Sequence, residues 1–388
     1  MIPLAVPNLN GNEKKYLDDC IDSTFVSSVG PYVTRFEEMV AKATGSEYAV
    51  ATSAGTTGLH AALTSVGVSA GDLVIVPTFT FIASANAVKH CGAIPWLMDI
   101  DDSTWCLNAD FVRSEIDNNC KLNENGKLYH ISTGRQVAAL MPVYTLGNIP
   151  NMKAMRKLAD DYNLPLVVDA ACAIGATYES DDFGGMADLS VISFNGNKTI
   201  TCGGGGAVVG NNKILLDEVR HITTTARVWP DYDFDEVGFN YRMTNIQAAV
   251  GVAQLERLEF FLVAKRHVRE YYFERLHTYK SAYGIDFFPT TAGSGCWFSG
   301  IVLPYGTTYD SAKIMCDYLK KQGVEAKPFW KPVHLQKPYV DSPVSDTHVA
   351  DGLWQRIITL PCSTTIEDSN LDVVVEKVID ALALYFKH

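Results

Sequence analysis

The sequence predicts an α/β fold: a large domain with a mostly parallel sheet flanked by helices, followed by a smaller C-terminal α+β domain. Two observations carry this. Through the first two thirds of the chain, short apolar runs alternate with longer stretches of helical spacing, the pattern of strands joined by crossover helices. The length of 388 residues, 47% hydrophobic and 20% charged, also exceeds what one small core organises. The expected division is 1–255 for the large domain and 256–388 for the small one.

The strands are expected at 48–51, 73–76, 93–98, 138–141 and 166–168, each a short apolar run of buried-strand length. Between them, 58–66, 108–119 and 151–162 carry helical spacing. Residues 118–136, NNCKLNENGKLYHISTGRQ, form a polar excursion outside the core. Two more strands are expected on either side of a loop, one ending at 191–194 and one at 207–209. From about 244 to 279 the chain reads as one long helical stretch that bridges to the second domain. There, 298–303 reads as a strand, and 309–322 and 371–386 as helices.

Composition narrows the function. A net charge of -12 argues against nucleic acid and against an acidic membrane surface as the main partner. Nine scattered cysteines with no C-x-x-C pattern indicate neither a disulfide framework nor a metal site. The start, MIPLAVPNLN, has no basic region followed by an apolar stretch, and no apolar run is long enough to span a bilayer. A cytoplasmic protein is expected.

The stretch SFNGNKTITCGGGGAVV (193–209) sets one lysine, Lys198, ahead of four glycines. A phosphate-cradling loop has its glycines before a helix and its lysine after them, so this order is not a nucleotide loop. Lys198 instead lies between two expected strands, near buried backbone. A surface lysine at a turn is one meaning of that position. An amine in a desolvated pocket, able to attack a carbonyl, is the other.

The choice depends on what else the sheet edge holds, since ligands of open α/β sheets gather outside the carboxyl ends of the strands. Asp169 ends the strand at 166–168. The loop Ser53-Ala54-Gly55-Thr56-Thr57-Gly58 joins a strand to a helix expected to start near Leu59, and such a helix start suits an anion. Phe79 and Phe81 follow the strand at 73–76, where an aromatic ring can stack on a flat ligand. An amine, a carboxylate, an anion loop and a stacking ring are together what pyridoxal phosphate needs.

On SAGTTGLHAAL, PTFTFIASANAV, DAACAIGATY, SFNGNKTITCGGGGAV, GFNYRMTNIQAA and KPFWKPVHLQKPY, the chain resembles the DegT/DnrJ/StrS sugar aminotransferases over essentially its whole length. In VSSVGPYV and PFWKPVHLQKPY it is most similar to members that aminate UDP-4-keto-6-deoxy-N-acetylglucosamine. The resemblance implies a fold-type I pyridoxal-phosphate transferase acting as a homodimer with shared active sites. L-Glutamate would be the donor and a keto nucleotide sugar the acceptor. It gives Lys198 the cofactor aldehyde, Asp169 the pyridine nitrogen and Phe81 a ring face. Gly55, Thr56, Thr57 and Ser193 fall at the phosphate. Asn240 would reach the partner subunit's site, with Arg242 as second choice, and Ser27, Ser28 and His334 would lie near the sugar nucleotide. Cys172 departs from the family, which commonly has glutamine there, close to the cofactor's phenolic oxygen. A thiol is a poor hydrogen-bond donor, and a small buried residue is its simpler meaning. The alternatives are a dTDP- or GDP-keto sugar as acceptor, or a non-catalytic regulator on the same fold.

Overall fold

A computed structural model describes residues 1–179, 181–228 and 230–386. The last two residues of the expected small domain, 387 and 388, lie outside the described residues.

Seven strands build the large sheet: β1 (Tyr48–Thr52), β2 (Leu73–Pro77), β3 (Ile94–Met98), β4 (Val137–Leu140), β5 (Val167–Asp169), β6 (Leu189–Ser193) and β7 (Gly206–Gly210). Their spatial order is β1-β7-β6-β5-β4-β2-β3, with β4 and β5 joined through the parallel bridges Leu140–Leu166 and Val143–Asp169. Six strands run one way; β7 alone is antiparallel to both neighbours. That reversal matters for the site. It brings the start of β7, with its glycines, to the same edge as the carboxyl ends of β1, β2, β4, β5 and β6.

The helices are α1 (Glu13–Asp22), α2 (Pro31–Thr44), α3 (Gly55–Ser65), α4 (Ile82–His90), α5 (Ala109–Asn119), α6 (Met152–Asp161) and α7 (Lys213–Thr223). They cover both faces of the sheet. One face packs Phe36, Val40, Ile75, Leu140 and Ile192 into a core, and the other packs Leu59, Leu63, Val74, Val191 and Val208. Alternate residues of one strand supply opposite cores, as the period of a strand requires.

Two expectations change. The helix read as starting near Leu59 begins at Gly55, so Gly55, Thr56 and Thr57 form its first turn. Its cap lacks a conventional side chain: Ala54 is the N-cap, and Thr57 Oγ1 reaches back to accept from Ala54 N–H at 3.1 Å. The long helix over 244–279 is broken into α8 (Asn245–Leu255) and α9 (Leu258–Leu276). No proline or glycine marks the break. Glu256 is held there by Tyr16 Oη (2.6 Å), Asn12 Nδ2 (2.7 Å) and Arg35 (2.7 Å), so tertiary contacts end α8 where propensity alone would continue it.

The polar excursion is also less external than expected. It folds as a hairpin, Cys120–Leu122 against Leu128–His130, and buries Leu128 and His130, the latter against Trp96 with ring centroids 4.8 Å apart.

The C-terminal part folds around a four-stranded sheet: β8 (Asp286–Phe287), β9 (Ser299–Val302), β10 (Lys327–Pro328) and β11 (Ile357–Leu360), ordered β8-β9-β11-β10. Helices α9, α10 (Tyr309–Lys321) and α11 (Asp368–Tyr385) pack on it through Val268, Leu319, Val374, Val378 and Leu382. The first residues of the chain join this unit: Ile2 N–H donates to Gly323 O (2.7 Å), and Cys362 N–H donates to Leu4 O (2.8 Å).

Candidate active site

A cavity of about 510 Å³ lies at the carboxyl edge of the large sheet, roofed by the small domain. Lys198, Asp169, Cys172, Ser193, Gly55, Thr56 and Phe81 all line it. Seven residues separated by up to 143 positions therefore meet in one place, delivered by the ends of four strands, β1, β2, β5 and β6.

Lys198 sits on the loop between β6 and β7, which Cys202 N–H closes on Phe194 O (2.9 Å). Its Nζ donates to Cys172 Sγ at 3.2 Å and lies over the Trp297 ring, 3.8 Å from the centroid. The glycines after it have a steric cause. A Cβ on Gly206 would stand 2.6 Å from Ala54 C, Ala54 O and Gly55 N, so only glycine lets β7 pass the start of α3 this closely. Gly205, at φ +139, would meet Met243 Cε at 2.7 Å.

Asp169 is buried at the end of β5. Its Oδ2 accepts from Ser84 Oγ (2.6 Å) and its Oδ1 from Ala171 N–H (3.0 Å). Burial pushes its carboxyl above the usual range, while the Ser84 and Ala171 hydrogen bonds and the Lys198 charge oppose that rise. An anion here thus costs free energy that a cation at the carboxylate would offset. The Cys172 thiol is likewise pushed up, by burial first, with the Lys198 charge working the other way.

One end of the cavity is the first turn of α3. Gly58 N–H is the first to find an intrahelical acceptor, Ala54 O at 3.1 Å, so the N–H groups of Gly55, Thr56 and Thr57 lie ahead of the ladder. Ser193 ends β6 beside this turn; a Cβ on Gly55 would lie 2.9 Å from Ser193 Cβ. Thr57 does not line the cavity, and its hydroxyl serves the cap of its own helix. Phe81 is exposed at the entry to α4, with its ring 6.2 Å from that of Trp330.

The remaining expected residues lie outside this lining. Asn240 is exposed, on a segment whose neighbours run beside the first turn of α3: Ser53 N–H donates to Tyr241 O at 2.7 Å. Arg242 is partly buried and forms a bridge with Thr52. Ser27 is exposed, its carbonyl accepting from Asn245 N–H (2.6 Å), and Ser28 is half-buried. His334 sits in the short turn Val333–Leu335, with Nδ1 2.7 Å from Thr78 Oγ1 and Nε2 3.2 Å from Asp351.

Of the small domain's share of the site, sequence reasoning missed Trp297 and Phe298; it singled out KPFWKPVHLQKPY but gave no role to its Lys327, Phe329 and Trp330. It also missed Ser84, which follows Phe81 by one helical turn on α4 and could have been read as facing the same edge.

A large domain of this topology, with a lysine on the loop before the reversed strand and an aspartate at a parallel strand end, defines a fold-type I pyridoxal-phosphate enzyme. The DegT/DnrJ/EryC1/StrS aminotransferase family model matches residues 7–379, and the chain belongs to that family. It is 36% identical to a GDP-perosamine synthase of Caulobacter vibrioides, over 96% of each chain. To a putative pyridoxal phosphate-dependent aminotransferase, EpsN, of Bacillus subtilis it is 31% identical, over 97% of this chain and 94% of the other. A DegT DnrJ EryC1 StrS aminotransferase structure from Brucella abortus superposes with a TM-score of 0.85 at 25% identity, over 95% of each chain. The protein is a pyridoxal-phosphate-dependent sugar aminotransferase. Among the described residues, no helix is long and apolar enough to cross a membrane.

Proposed function

We propose that this chain moves an amino group from L-glutamate to C4 of a 4-keto-6-deoxy nucleotide sugar, working in the cytoplasm as a homodimer with shared active sites, and that Lys198 is its catalytic residue. The observation that carries this reading is the meeting of Lys198, Asp169 and the first turn of α3 in one cavity. The residues present fit the cofactor: a carboxylate that is buried and, among the described residues, in no salt bridge, a helix start with three N–H groups ahead of the ladder, and an amine in the same cavity.

When bound, the cofactor supplies an aldehyde and an electron-withdrawing ring through which an amino group leaves one carbon and joins another. Lys198 Nζ would hold that aldehyde, and its free amine would take the proton from the donor's α-carbon in the first half of the reaction and give one to C4 of the sugar in the second. Asp169 would face the pyridine nitrogen, with Ser84 and Ala171 keeping the carboxylate in place. The N–H groups of Gly55, Thr56 and Thr57, with Ser193, take the phosphate. Phe81 would cover one ring face. Cys172, beside the Lys198 amine, fills the place of the usual glutamine as a small buried group. Asn240, exposed in the single chain, reaches the partner's site, and Ser27, Ser28 and His334 flank the sugar nucleotide.

For the nucleotide, the name of the Caulobacter relative favours a GDP-linked sugar, while VSSVGPYV and PFWKPVHLQKPY favour a UDP-linked N-acetyl sugar. We take the GDP-linked sugar as the first substrate, because the relative's likeness spans 96% of both chains and the motif likeness only two short stretches. The test has two arms. Borohydride reduction of the loaded protein, followed by peptide mapping, is expected to fix the cofactor on Lys198; a label on another lysine overturns the site. Product mass spectrometry with glutamate and GDP-, UDP- and dTDP-linked 4-keto-6-deoxy sugars is expected to give the amino sugar fastest from the GDP form. A faster UDP form returns the choice to the motif reading, and no amination of any overturns the function.

A further inference from the structure

Trp297 comes from the small domain, 99 positions after Lys198, yet it is only 3% exposed and its ring lies under the Lys198 amine. Each of its hydrogen-bonding groups is tied to a different part of the molecule. Its backbone N–H donates to Leu146 O (3.1 Å), and its carbonyl accepts from Lys265 Nζ (2.9 Å), a buried lysine on α9. Its indole N–H donates to Asn197 O (2.7 Å), in the residue immediately before Lys198. The backbone on both sides is held in the left-handed region by residues other than glycine: Cys296 at φ 47, just before Trp297, and Leu146 at φ 60, whose carbonyl receives its N–H. Such backbone persists only where the surroundings over-determine it. A tryptophan used only to fill space needs neither the strain nor a donor aimed at the lysine loop.

We propose that Trp297 is a positioning residue for the Lys198 amine. Its ring face holds the freed ammonium by a cation–π contact between the two proton transfers, and its indole N–H fixes the loop that carries the lysine. This rests on the reading of Lys198 as the catalytic lysine. Lys265 acts one step back, anchoring the Trp297 carbonyl together with Cys362 O (2.7 Å). The small domain thereby helps set where the amine of the large domain stands.

Full-length protein loaded with pyridoxamine phosphate leaves Lys198 as a free amine, and its reactivity can be read directly. The measurement is the rate of acetylation of Lys198, by peptide mass spectrometry, relative to exposed Lys14. It is made for protein carrying tryptophan, or its mono-, di- and trifluorinated analogues, which keep the shape while weakening the ring face. A cation–π contact holds the Lys198 nitrogen against the ring and away from the reagent, so the rate is expected to climb with each fluorine, roughly three- to thirtyfold for full loss of the contact. Trp297→Leu should reach the upper end and Trp297→Phe, which keeps a ring, should fall between. A Lys198 rate that is flat across the fluorinated series overturns the proposal, whether or not Trp297→Leu folds. The two readings separate cleanly. Borohydride label on a different lysine removes the catalytic assignment, whereas label on Lys198 with a flat acetylation series removes the role of Trp297 alone.

Discussion

Gly206→Ala tests how the reversed strand shapes the site. Gly206 pairs with Thr52 on one side and Ser193 on the other, so it sits between the two strand ends that hold the first turn of α3 and the lysine loop. An added Cβ would meet Ala54 C, Ala54 O and Gly55 N, all at 2.6 Å, where 3.4 Å is ordinary contact. All three atoms are backbone, so no side chain can swing aside. Either β7 or the start of α3 must shift by most of an ångström. Overpacking of this kind costs about 1–3 kcal/mol. If α3 gives way, its first N–H groups move off the phosphate, and a tenfold loss of cofactor affinity corresponds to about 1.4 kcal/mol. Gly196→Ala is the control, because a Cβ there meets nothing within 4 Å. Urea unfolding of the cofactor-free proteins and absorbance titration with pyridoxal phosphate give both quantities. The expected result is Gly206→Ala weakened in stability, in cofactor affinity or in both, with Gly196→Ala close to the parent protein. Two variants alike in unfolding midpoint and cofactor affinity would show that the glycine run is not there for close approach.

Two further outcomes follow from the same geometry, and a third from the likeness of GFNYRMT to the family. The Asp169 carboxyl is raised in the folded state, so the stability this group gives is full below its unfolded value of about 3.9 and is lost as pH rises through the folded value. Cofactor-free Asp169→Asn should therefore be more stable than the parent at pH 7, with the gap closing toward pH 4 in urea midpoints; a gap independent of pH refutes the burial argument. Ser84→Ala removes the 2.6 Å hydrogen bond to that carboxylate and should cost about 1.5–3 kcal/mol at pH 7 by urea unfolding, with an unchanged midpoint assigning Ser84 no role. Mixed dimers of Lys198→Ala and Asn240→Ala, each inactive alone, should regain about a quarter of parental activity at equal mixing, since half the dimers are hybrid and each has one intact site; no recovery in hybrids confirmed by mass places Asn240 outside the partner's site.

The sheet was legible in the sequence because its strands are short, apolar and β-branched, and buried on both faces; Leu73–Pro77 and Val167–Asp169 could hardly be anything else. Helix boundaries were harder where local signals mislead. Nothing in Gly55-Thr56-Thr57 announces a helix start, since the cap is Thr57 reaching backward rather than a side chain at Ala54. The α8–α9 break was invisible for a related reason: it is made by Tyr16, Asn12 and Arg35 converging on Glu256, contacts up to 244 residues away in sequence.

The large-domain half of the site was legible because topology sends consecutive strand ends to one edge, so Asp169, Lys198 and the loop holding Gly55 could be grouped from strand positions, while Ser193 came only with the family resemblance. The small-domain half has no such rule. Trp297 stands in a segment with no catalytic pattern, and a tryptophan in an apolar run reads as core. What distinguishes Trp297 from core is where its indole N–H and ring face point, toward Asn197 O and Lys198 Nζ. Both are properties of how two domains meet. A residue of this sort is set by the junction between folding units, and periodicity within either unit carries no trace of it.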